Sequence, residues 1–292
     1  MTPAVSVIVP TYGRPEALAA CLAALACLDV PPGGFEVIVV DDGSPEPASG
    51  IAAPFHDRLD LSVVRQANAG PAVARNTGAT RARGALLAFT DDDCRPAASW
   101  LTALTEAAAA HPGALLAGRT TNALPDNPYA EASQLLISYL YDYFGPSSGR
   151  VLLVASNNLA VPAEGFRALG GFDTTFDRAA GEDRDFSARW HEAGRPATFV
   201  PEAVIHHAHR MGLRGYWRQH AQYGRGAMRY HHRRQERGVE ASGPEPLGFY
   251  VGLVAYPLRT SWRPRAWLHA GLLGVSQVAN ALGYAAARRA MP

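Results

Sequence analysis

The chain has 292 residues, of which 48% are hydrophobic and 18% charged, so it can bury a large core and is not a disordered protein. All 27 basic residues are arginine, which excludes enzymes that need a Schiff-base lysine or a phosphate-loop lysine. The net charge of +1 is unevenly distributed. From residue 206 onward the chain has 13 arginines and three glutamates, a net charge of about +10. The preceding part has 14 arginines and 23 acidic residues, a net charge of about −9. This basic end predicts contact with an anionic partner, membrane headgroups or a phosphorylated lipid rather than nucleic acid, with a solvated basic face as the alternative.

The three cysteines, Cys21, Cys27 and Cys94, have neither the number nor the spacing of a disulfide framework or a zinc site. Cys21 and Cys27 fall in an Ala/Leu-rich helical pattern, which predicts two small core residues. Residues 1–10 lack the basic segment of a cleavable signal peptide. We therefore expect a cytoplasmic location, at the inner face of the cell membrane if the basic end contacts lipid.

The first ninety residues predict strands that alternate with helices. Apolar runs predict strands at 5–10, 35–40, 61–64 and 86–89, and helical spacing predicts helices at 16–28 and 72–83. This alternation is typical of a parallel α/β sheet. The first strand-to-helix turn reads Pro-Thr-Tyr-Gly-Arg-Pro at 10–15 and lacks G-x-G-x-x-G, which argues against an NAD or FAD oxidoreductase.

Three consecutive carboxylates, Asp91, Asp92 and Asp93, directly follow the strand predicted at 86–89. Open α/β sheets bind their ligands at the carboxyl ends of such strands. Asp91 and Asp93 are two residues apart, so in an extended segment both point to the same side. Together they can hold Mg²⁺ or Mn²⁺ while a substrate diphosphate supplies further ligands; the alternative is an acidic, solvated turn.

The next part of the chain is more mixed. A helix is predicted at 99–111 and strands at 114–119, 151–161 and 197–200. The aromatic-rich stretch 127–145 suits carbohydrate or lipid contact as well as core packing. Asn157 and Asn158 lie inside an apolar run, where their amides need partners, and we predict that one of them makes a functional contact.

A second acidic cluster, Glu182, Asp183 and Asp185, opens a helix that carries Phe186 and Trp190 at i and i+4. Carboxylates at a helix N-terminus are favoured by the macrodipole, so simple capping is the alternative to a catalytic role. Three histidines end the next apolar run, either as surface residues or with one completing a metal site: His206, His207 and His209.

The C-terminal region combines basic and apolar segments. Residues 211–245 are basic with interleaved aromatics, and two apolar blocks follow at 247–258 and 266–287. The second block is long enough to cross a bilayer but contains polar residues that are costly in lipid: His269, Ser276, Gln277 and Asn280. A pair of interfacial or packed helices is therefore favoured over a membrane span.

Six segments carry a joint resemblance: 5–11 with Tyr12, Val-Ile-Val-Val-Asp-Asp-Gly-Ser at 37–44, Asn-Ala-Gly-Pro-Ala-Val-Ala-Arg-Asn at 68–76, Thr-Asp-Asp-Asp-Cys at 90–94, Gly-Gly-Phe-Asp at 170–173 and Gly-Glu-Asp-Arg-Asp at 181–185. In this order they resemble glycosyltransferase family 2, enzymes of the GT-A fold that use nucleotide sugars. The resemblance implies a Rossmann-like, mostly parallel α/β sheet flanked by helices. It implies a catalytic domain over 1–210, with a nucleotide-sugar half at about 1–120 and an acceptor half at about 121–210. Residues 211–292 would form a helical extension that contacts the membrane.

The resemblance also implies roles for individual residues. The nucleotide sugar would be bound by Pro10, Thr11, Tyr12, Arg14, Asp41 or Asp42, Arg75 and Asp91. Asp92 is the alternative if the family's D-x-D motif is shifted by one residue. The cation would be held by Asp93 and His207, with His206 or His209 as alternatives to His207. Asp183, in the pair Glu182-Asp183, would be the general base. The acceptor side would include Asn157, Asn158, Gly171 and Phe172.

The implied reaction is an inverting hexosyl transfer that needs Mg²⁺ or Mn²⁺. Asp183 would remove a proton from an acceptor hydroxyl on the face of the sugar opposite the leaving group, giving a β-linked product from an α-linked donor. Polysaccharide, glycolipid and natural-product acceptors are all compatible with the sequence. Two other hypotheses are an Asp-dependent phosphotransferase, which usually needs a lysine, and a non-catalytic membrane-surface protein that binds nucleotide sugars.

Overall fold

The computed structural model describes residues 2–144, 154–176, 180–239, 245–260 and 264–290. Within these ranges the strands are β1 (Val5–Thr11), β2 (Phe35–Asp41), β3 (Leu61–Arg65), β4 (Leu86–Phe89), β5 (Cys94–Pro96), β6 (Leu115–Asn122), β7 (Leu159–Pro162) and β8 (Ala197–His207). The helices are α1 (Pro15–Leu25), α2 (Ala48–Ala52), α3 (Pro71–Arg81), α4 (Trp100–Ala110), α5 (Pro128–Tyr143), α6 (Ala163–Ala168), α7 (Glu182–Glu192), α8 (Leu213–Glu236), α9 (Leu247–Thr260) and α10 (Arg265–Ala290).

The strands form one sheet in the order β3-β2-β1-β4-β7-β6-β8-β5. Pairing is parallel from β3 to β4 and between β6 and β8, whereas β7 runs antiparallel to both neighbours and β5 runs antiparallel to β8. The predicted α/β class with a mostly parallel sheet is confirmed. The carboxyl ends of β1, β2 and β4 lie at one edge, so the residues that follow these strands meet there.

The core lies on both faces of this sheet, as the alternation of side chains along a strand requires. Val5, Val7 and Val9 pack with the leucines of α1 on one face, and Ile8 packs on the other. The second face carries an aromatic cluster that includes Phe89, and α7 packs on it through Phe186 and Trp190 at i and i+4. This packing fixes α7, and with it the acidic cluster at its N-terminus.

Two local predictions differ from the structure, and one stretch without a predicted secondary structure is helical. In the run predicted as a strand at 151–161, only Leu159–Pro162 is strand; Ser156–Asn158 forms a 3₁₀ turn, and 151–153 lie outside the described residues. The turn places the Asn158 amide where it finds buried partners. The aromatic stretch 127–145 contains the helix α5. Cys27 is exposed rather than in the core, because α1 ends at Leu25.

Helices α8 and α10 pack backbone against backbone. A Cβ added at Gly224 would lie 1.9 Å from the carbonyl oxygen of Asn280, and one added at Gly283 would lie 1.9 Å from that of Ala221. The hydroxyl of Tyr216 donates to the Leu272 carbonyl at 2.9 Å. Glycine at the crossing therefore sets the distance between the two helices.

The basic C-terminal region forms ion pairs with the acidic part of the chain. Arg233 of α8 lies 2.7 Å from Asp173, and Arg237, which directly follows α8, lies 2.8 Å from Asp185. Part of the charge asymmetry seen in the sequence is thus satisfied within the fold. Among the described residues, the structure has no helix whose length and apolar character would allow it to cross a membrane.

The helix crossing yields a test of packing. Gly283→Ala should destabilise the protein by about 1–3 kcal/mol, because the new methyl group would overlap the α8 backbone. The matched control in the same helix is Gly274→Ala, where an added Cβ has nothing within 4 Å. The control should be neutral or stabilising by about 0.5–1 kcal/mol. Denaturant unfolding of both variants measures this, and equal stabilities for the two would contradict the described crossing.

Candidate active site

A cavity of about 1620 Å³ opens at the carboxyl edge of the sheet and extends between α5, α7, α8, α9 and α10. Both acidic clusters line it, the first through Asp91 and Asp93 and the second through Glu182 and Asp183. The two clusters are about ninety residues apart in sequence, and the fold brings them to one space.

The three consecutive aspartates point in different directions. Asp92 is buried, accepts a hydrogen bond from the Thr11 hydroxyl at 2.7 Å and pairs with Arg14 at 3.1 Å. Burial raises its pKa to about 6, although Arg14 and Thr11 act in the opposite direction. Asp91 and Asp93 line the cavity from a turn, closed by the Cys94 N–H donating to the Asp91 carbonyl at 3.0 Å, rather than from the extended segment on which the spacing argument was based.

Asp93 sits among cationic and imidazole groups. Arg14 donates to it at 2.7 Å, and His207 and His209 lie 3.1 and 3.2 Å from its two oxygens. Burial raises the pKa of this carboxyl, but the two histidines and Arg14 outweigh burial and hold the pKa well below its usual range. Asp93 is therefore ionised at neutral pH.

Asp93 and His207 fit a divalent cation. Oδ1 of Asp93 lies 3.1 Å from Nε2 of His207 without forming a hydrogen bond, and it has no hydrogen-bond partner within the described part of the chain. A carboxylate oxygen and an imidazole nitrogen are a suitable donor set for Mn²⁺ or Mg²⁺. The thiol of Cys94 is the third group of this cluster, and burial raises its pKa, which keeps it protonated. His206 is exposed and contacts Thr121 instead, because neighbours in a strand face opposite sides.

Arg75 connects the two acidic clusters. It is buried on α3, and its guanidinium donates to Asp91 at 2.6 Å and to Glu182 at 3.0 Å. Its Nε has no partner among the residues that the structure describes. A single fixed cation thus balances one carboxylate from each cluster.

Glu182 and Asp183 lie in the first turn of α7. Glu182 is buried and accepts from the Ala180 N–H at 2.9 Å, while burial and the charge of Asp183 raise its pKa to about 7 despite Arg75. Asp183 accepts from the Ser156 N–H at 3.3 Å and from the Arg184 N–H at 2.7 Å. Burial raises its pKa more than these contacts lower it. A cavity-lining carboxylate with a raised pKa is suited to accept a proton.

The residues expected to bind the nucleotide surround the edge of the sheet. Arg14, Arg75 and Asp91 line the cavity, Tyr12 is half-exposed, and Pro10 and Thr11 end β1. Both acids after β2 are buried and hold loops. Asp41 accepts from the N–H groups of Ser44 and Ala48, and Asp42 accepts from those of Ala69 and Gly70 and from the side chain of Gln66.

The four residues expected on the acceptor side separate into two groups. Asn157 lines the cavity and accepts from Thr120 at 3.3 Å. Asn158 points into the protein, where it accepts from Trp100 at 2.9 Å and donates to the carbonyls of Arg119 and Ala203. Gly171 and Phe172 lie behind the site, where the backbone of Phe172 pairs with Asn76.

Much of the cavity lining carries no distinct motif in the sequence. Thr120, Gln134 and Tyr223 line it, as do apolar residues of α5, α9 and α10. Their only sequence signal was the mixture of aromatic, basic and apolar residues in 127–145 and beyond 210, which favours a binding surface as much as a core.

A sequence profile described as Glycosyl transferase family 2 matches residues 6–155. The chain belongs to glycosyl transferase family 2. A second profile, Glycosyl transferase family group 2, matches residues 127–285. Family membership confirms the resemblance drawn from the six segments, and neither the phosphotransferase nor the non-catalytic hypothesis is favoured.

Two relatives have names that state a transfer reaction. Validoxylamine A glucosyltransferase of Streptomyces hygroscopicus subsp. limoneus is 30% identical over 229 residues, which are 69% of this chain and 51% of the relative. Pre-mycofactocin glycosyltransferase of Mycobacterium tuberculosis is 32% identical over 228 residues, 75% of this chain and 46% of the relative. The chain thus spans about half the length of these relatives.

Solved structures share the fold. Mannosyltransferase PcManGT from Pyrobaculum calidifontis, in complex with GDP-Man and Mn²⁺, aligns with a TM-score of 0.61 at 23% identity and covers 99% of this chain and 79% of its own. S. aureus TarS 1–349 in complex with UDP-GlcNAc aligns with a TM-score of 0.55 at 16% identity, covering 98% and 90%. The predicted GT-A fold is confirmed.

Removing Arg75 tests its role as a bridge. Arg75→Met should cost about 3–5 kcal/mol of stability, because it leaves a buried carboxylate without its partner. Without Arg75 the pKa of Glu182 rises above its present value of about 7, further above that of the unfolded chain. The loss of stability should therefore be larger at pH 8, where Glu182 of the wild type is ionised and pairs with Arg75, than at pH 6, where Glu182 binds a proton in both proteins.

Urea unfolding at both pH values measures the difference, and Arg75→Lys, which keeps the charge, serves as the control. The control should lose less stability and show a smaller pH effect. An equal loss for Arg75→Met at pH 6 and pH 8 would contradict the assignment.

Proposed function

We propose that the chain is an inverting glycosyltransferase that moves a sugar from a nucleotide-diphosphate sugar to an acceptor hydroxyl. The observation that carries the proposal is the single cavity in which the Asp91–Asp93 turn faces the first turn of α7, with Arg75 between them. One cluster suits the donor diphosphate and the other suits the nucleophile.

The donor half is built from Arg14, Arg75, Asp91, Asp93 and His207. The two arginines supply positive charge for the diphosphate, and Asp91 is available to hydrogen-bond a ribose or sugar hydroxyl. Asp93 and His207 would hold the cation, and bound Mn²⁺ or Mg²⁺ would neutralise the diphosphate as the anomeric bond breaks. A diphosphate would also compete with Asp91 for Arg75, because both are anions.

The acceptor half is built around Asp183. Its raised pKa and its place in the cavity suit removal of a proton from the acceptor hydroxyl. Glu182 is turned toward Arg75 and the Ala180 N–H, which holds the first turn of α7 in place. Attack from the side opposite the leaving group inverts the anomeric carbon and needs no covalent intermediate, so an α-linked donor gives a β-linked product.

Peripheral contact of 211–292 with the inner face of the cell membrane belongs to the same proposal. Arginines that pair internally, such as Arg233 and Arg237, are less available to lipid. Exposed apolar residues of α9 and α10, such as Val251, Trp267 and Leu268, provide surface for an interfacial contact.

Loss of the base tests the reaction. Asp183→Asn should lower sugar transfer by about 10²–10⁴-fold, because amide nitrogen and oxygen accept a proton poorly, while donor binding persists. A thermal-shift panel of UDP-, GDP- and dTDP-sugars with and without Mn²⁺ identifies the donor and measures its binding. The fully exposed Asp126 supplies the control, Asp126→Asn, which should transfer like the wild type. Full transfer activity in Asp183→Asn would show that another group is the base.

The wild-type pH profile gives an independent measure of the same group. Burial raises the pKa of Asp183, so transfer should fall on the acid side at a higher pH than an ordinary aspartate would give. Glu182 and Asp183 interact, so the apparent pKa belongs to the pair. An acid limb at the ordinary aspartate pKa would contradict this environment.

Two neighbouring histidines of β8, His207 and His206, provide a variant and a matched control for the proposed cation site. His207→Ala should weaken Mn²⁺ binding at least about tenfold, because one of two protein ligands is lost. His206→Ala should bind Mn²⁺ like the wild type, because His206 faces the other side of β8. Electron paramagnetic resonance of free Mn²⁺ measures both affinities. A loss confined to His206→Ala would reverse the assignment.

A further inference from the structure

The cavity is larger than its donor half requires. Binding sites for drug-sized ligands have volumes of about 300–1,000 Å³, whereas this one measures about 1620 Å³. The excess lies away from the sheet, between the helices that follow β6. A nucleotide sugar at the Asp91–Asp93 turn therefore leaves a second compartment for the acceptor.

One wall of this second compartment is apolar. On α5, Ile137 and Leu140 line the cavity one turn apart, and Leu253 of α9 and Val278 of α10 also line it. Ile137 and Leu140 remain half-buried although they belong to the cluster between α5 and α9. Their free sides form an apolar strip on the cavity surface.

The strip begins beside the catalytic residues. Gln134, one turn before Ile137, donates to the Thr120 carbonyl at 2.8 Å, and Thr120 donates to Asn157. Ile137 and Leu140 follow Gln134 along α5, which rises about 1.5 Å per residue. A molecule whose polar end lies near Asp183 and Asn157 therefore has the apolar side chains of Ile137 and Leu140 next to it in the same cavity.

A second part of the lining forms a polar wall. Gln219 and Tyr223 of α8 and Asn280 of α10 line it. The side-chain nitrogen of Gln219 donates to the Tyr223 hydroxyl at 2.7 Å, and Oε1 of Gln219 is buried with no hydrogen-bond partner in the described ranges. A buried oxygen of this kind favours a ligand that brings a hydroxyl or another donor.

We propose that the acceptor is an amphiphile: a hydroxyl-bearing head that reaches Asp183 and carries a hydrocarbon chain along the wall formed by Ile137, Leu140 and Leu253. The inference rests on the proposed function and names the acceptor class of the same site. The head meets the polar wall of α8 and α10, and the chain covers the apolar wall of α5 and α9. A fully polar oligosaccharide acceptor would leave the apolar strip facing water or sugar hydroxyls.

Binding of alkyl glucosides to the full chain tests the apolar wall without any donor. Butyl, hexyl and octyl β-D-glucoside, each kept below its micelle concentration, share one head and differ only in chain length. Calorimetry should give a dissociation constant that falls about fourfold for each added methylene, the effect of burying that group. A dissociation constant that does not change with chain length would overturn the inference.

A variant pair locates the chain. Ile137→Gln should lower the ratio of octyl to butyl affinity at least tenfold. Val30→Gln should keep the wild-type ratio, because Val30 is exposed in the connection between α1 and β2 and lies outside the cavity lining. If Ile137→Gln does not fold by circular dichroism, the milder Leu140→Ala should still lower the ratio several-fold. A wild-type ratio in the folded wall variant would overturn the inference.

The outcome is separable from that of the proposed function. A thermal shift with a nucleotide sugar, together with affinities independent of chain length, would overturn the amphiphilic acceptor and leave the glycosyltransferase intact. A steep chain-length dependence without a shift from any nucleotide sugar would support the apolar wall and contradict the proposed function.

Discussion

The ion-pair bridge through Arg75 is the interaction on which the site depends. Asp91 follows β4 and Glu182 begins α7, so their carboxylates come from distant parts of the chain and would repel each other in one buried space. Arg75 lies between them at 2.6 and 3.0 Å and is itself buried. A buried charge of one sign needs a partner, and here one guanidinium serves two. The positions of the Asp91–Asp93 turn and of the first turn of α7 are therefore set by the same residue.

The C-terminal helices belong to this arrangement rather than standing apart from it. Ala180 and Gly181, which directly precede α7, lie against α8, since a Cβ at Gly226 would come within 2.3 Å of the Ala180 carbonyl oxygen. Arg237 and Arg233 fasten α8 to Asp185 and Asp173 on either side of these two residues. The helices that form the far wall of the cavity thus also hold the turn that presents Asp183. A change in α8 can therefore alter the position of Asp183, the base that we propose, without any contact with the substrate.

The parts of the fold that were predictable from sequence depend on local patterns. Strands β1, β2 and β4 follow from apolar runs, of which those of β2 and β4 lead into carboxylates, and Phe186 and Trp190 follow from helical spacing. The partners of single polar side chains did not follow, because contacts across long sequence separations determine them. Nothing in the sequence distinguishes Asn157 from Asn158, yet the turn at Ser156–Asn158 points one into the cavity and the other toward Trp100. Likewise Arg75 and Glu182 are paired only because α3 and α7 pack on the same face of the sheet.

The stereochemistry of the released sugar tests the central claim most directly. With the donor that binds, proton NMR during donor hydrolysis records which anomer forms first, before mutarotation. Two acidic groups in separate roles, one at the leaving diphosphate and one activating the nucleophile on the opposite face, predict that an α-linked donor first releases the β anomer. First release of the α anomer would mean retention, which requires a different nucleophile and would contradict the roles assigned to Asp93 and Asp183.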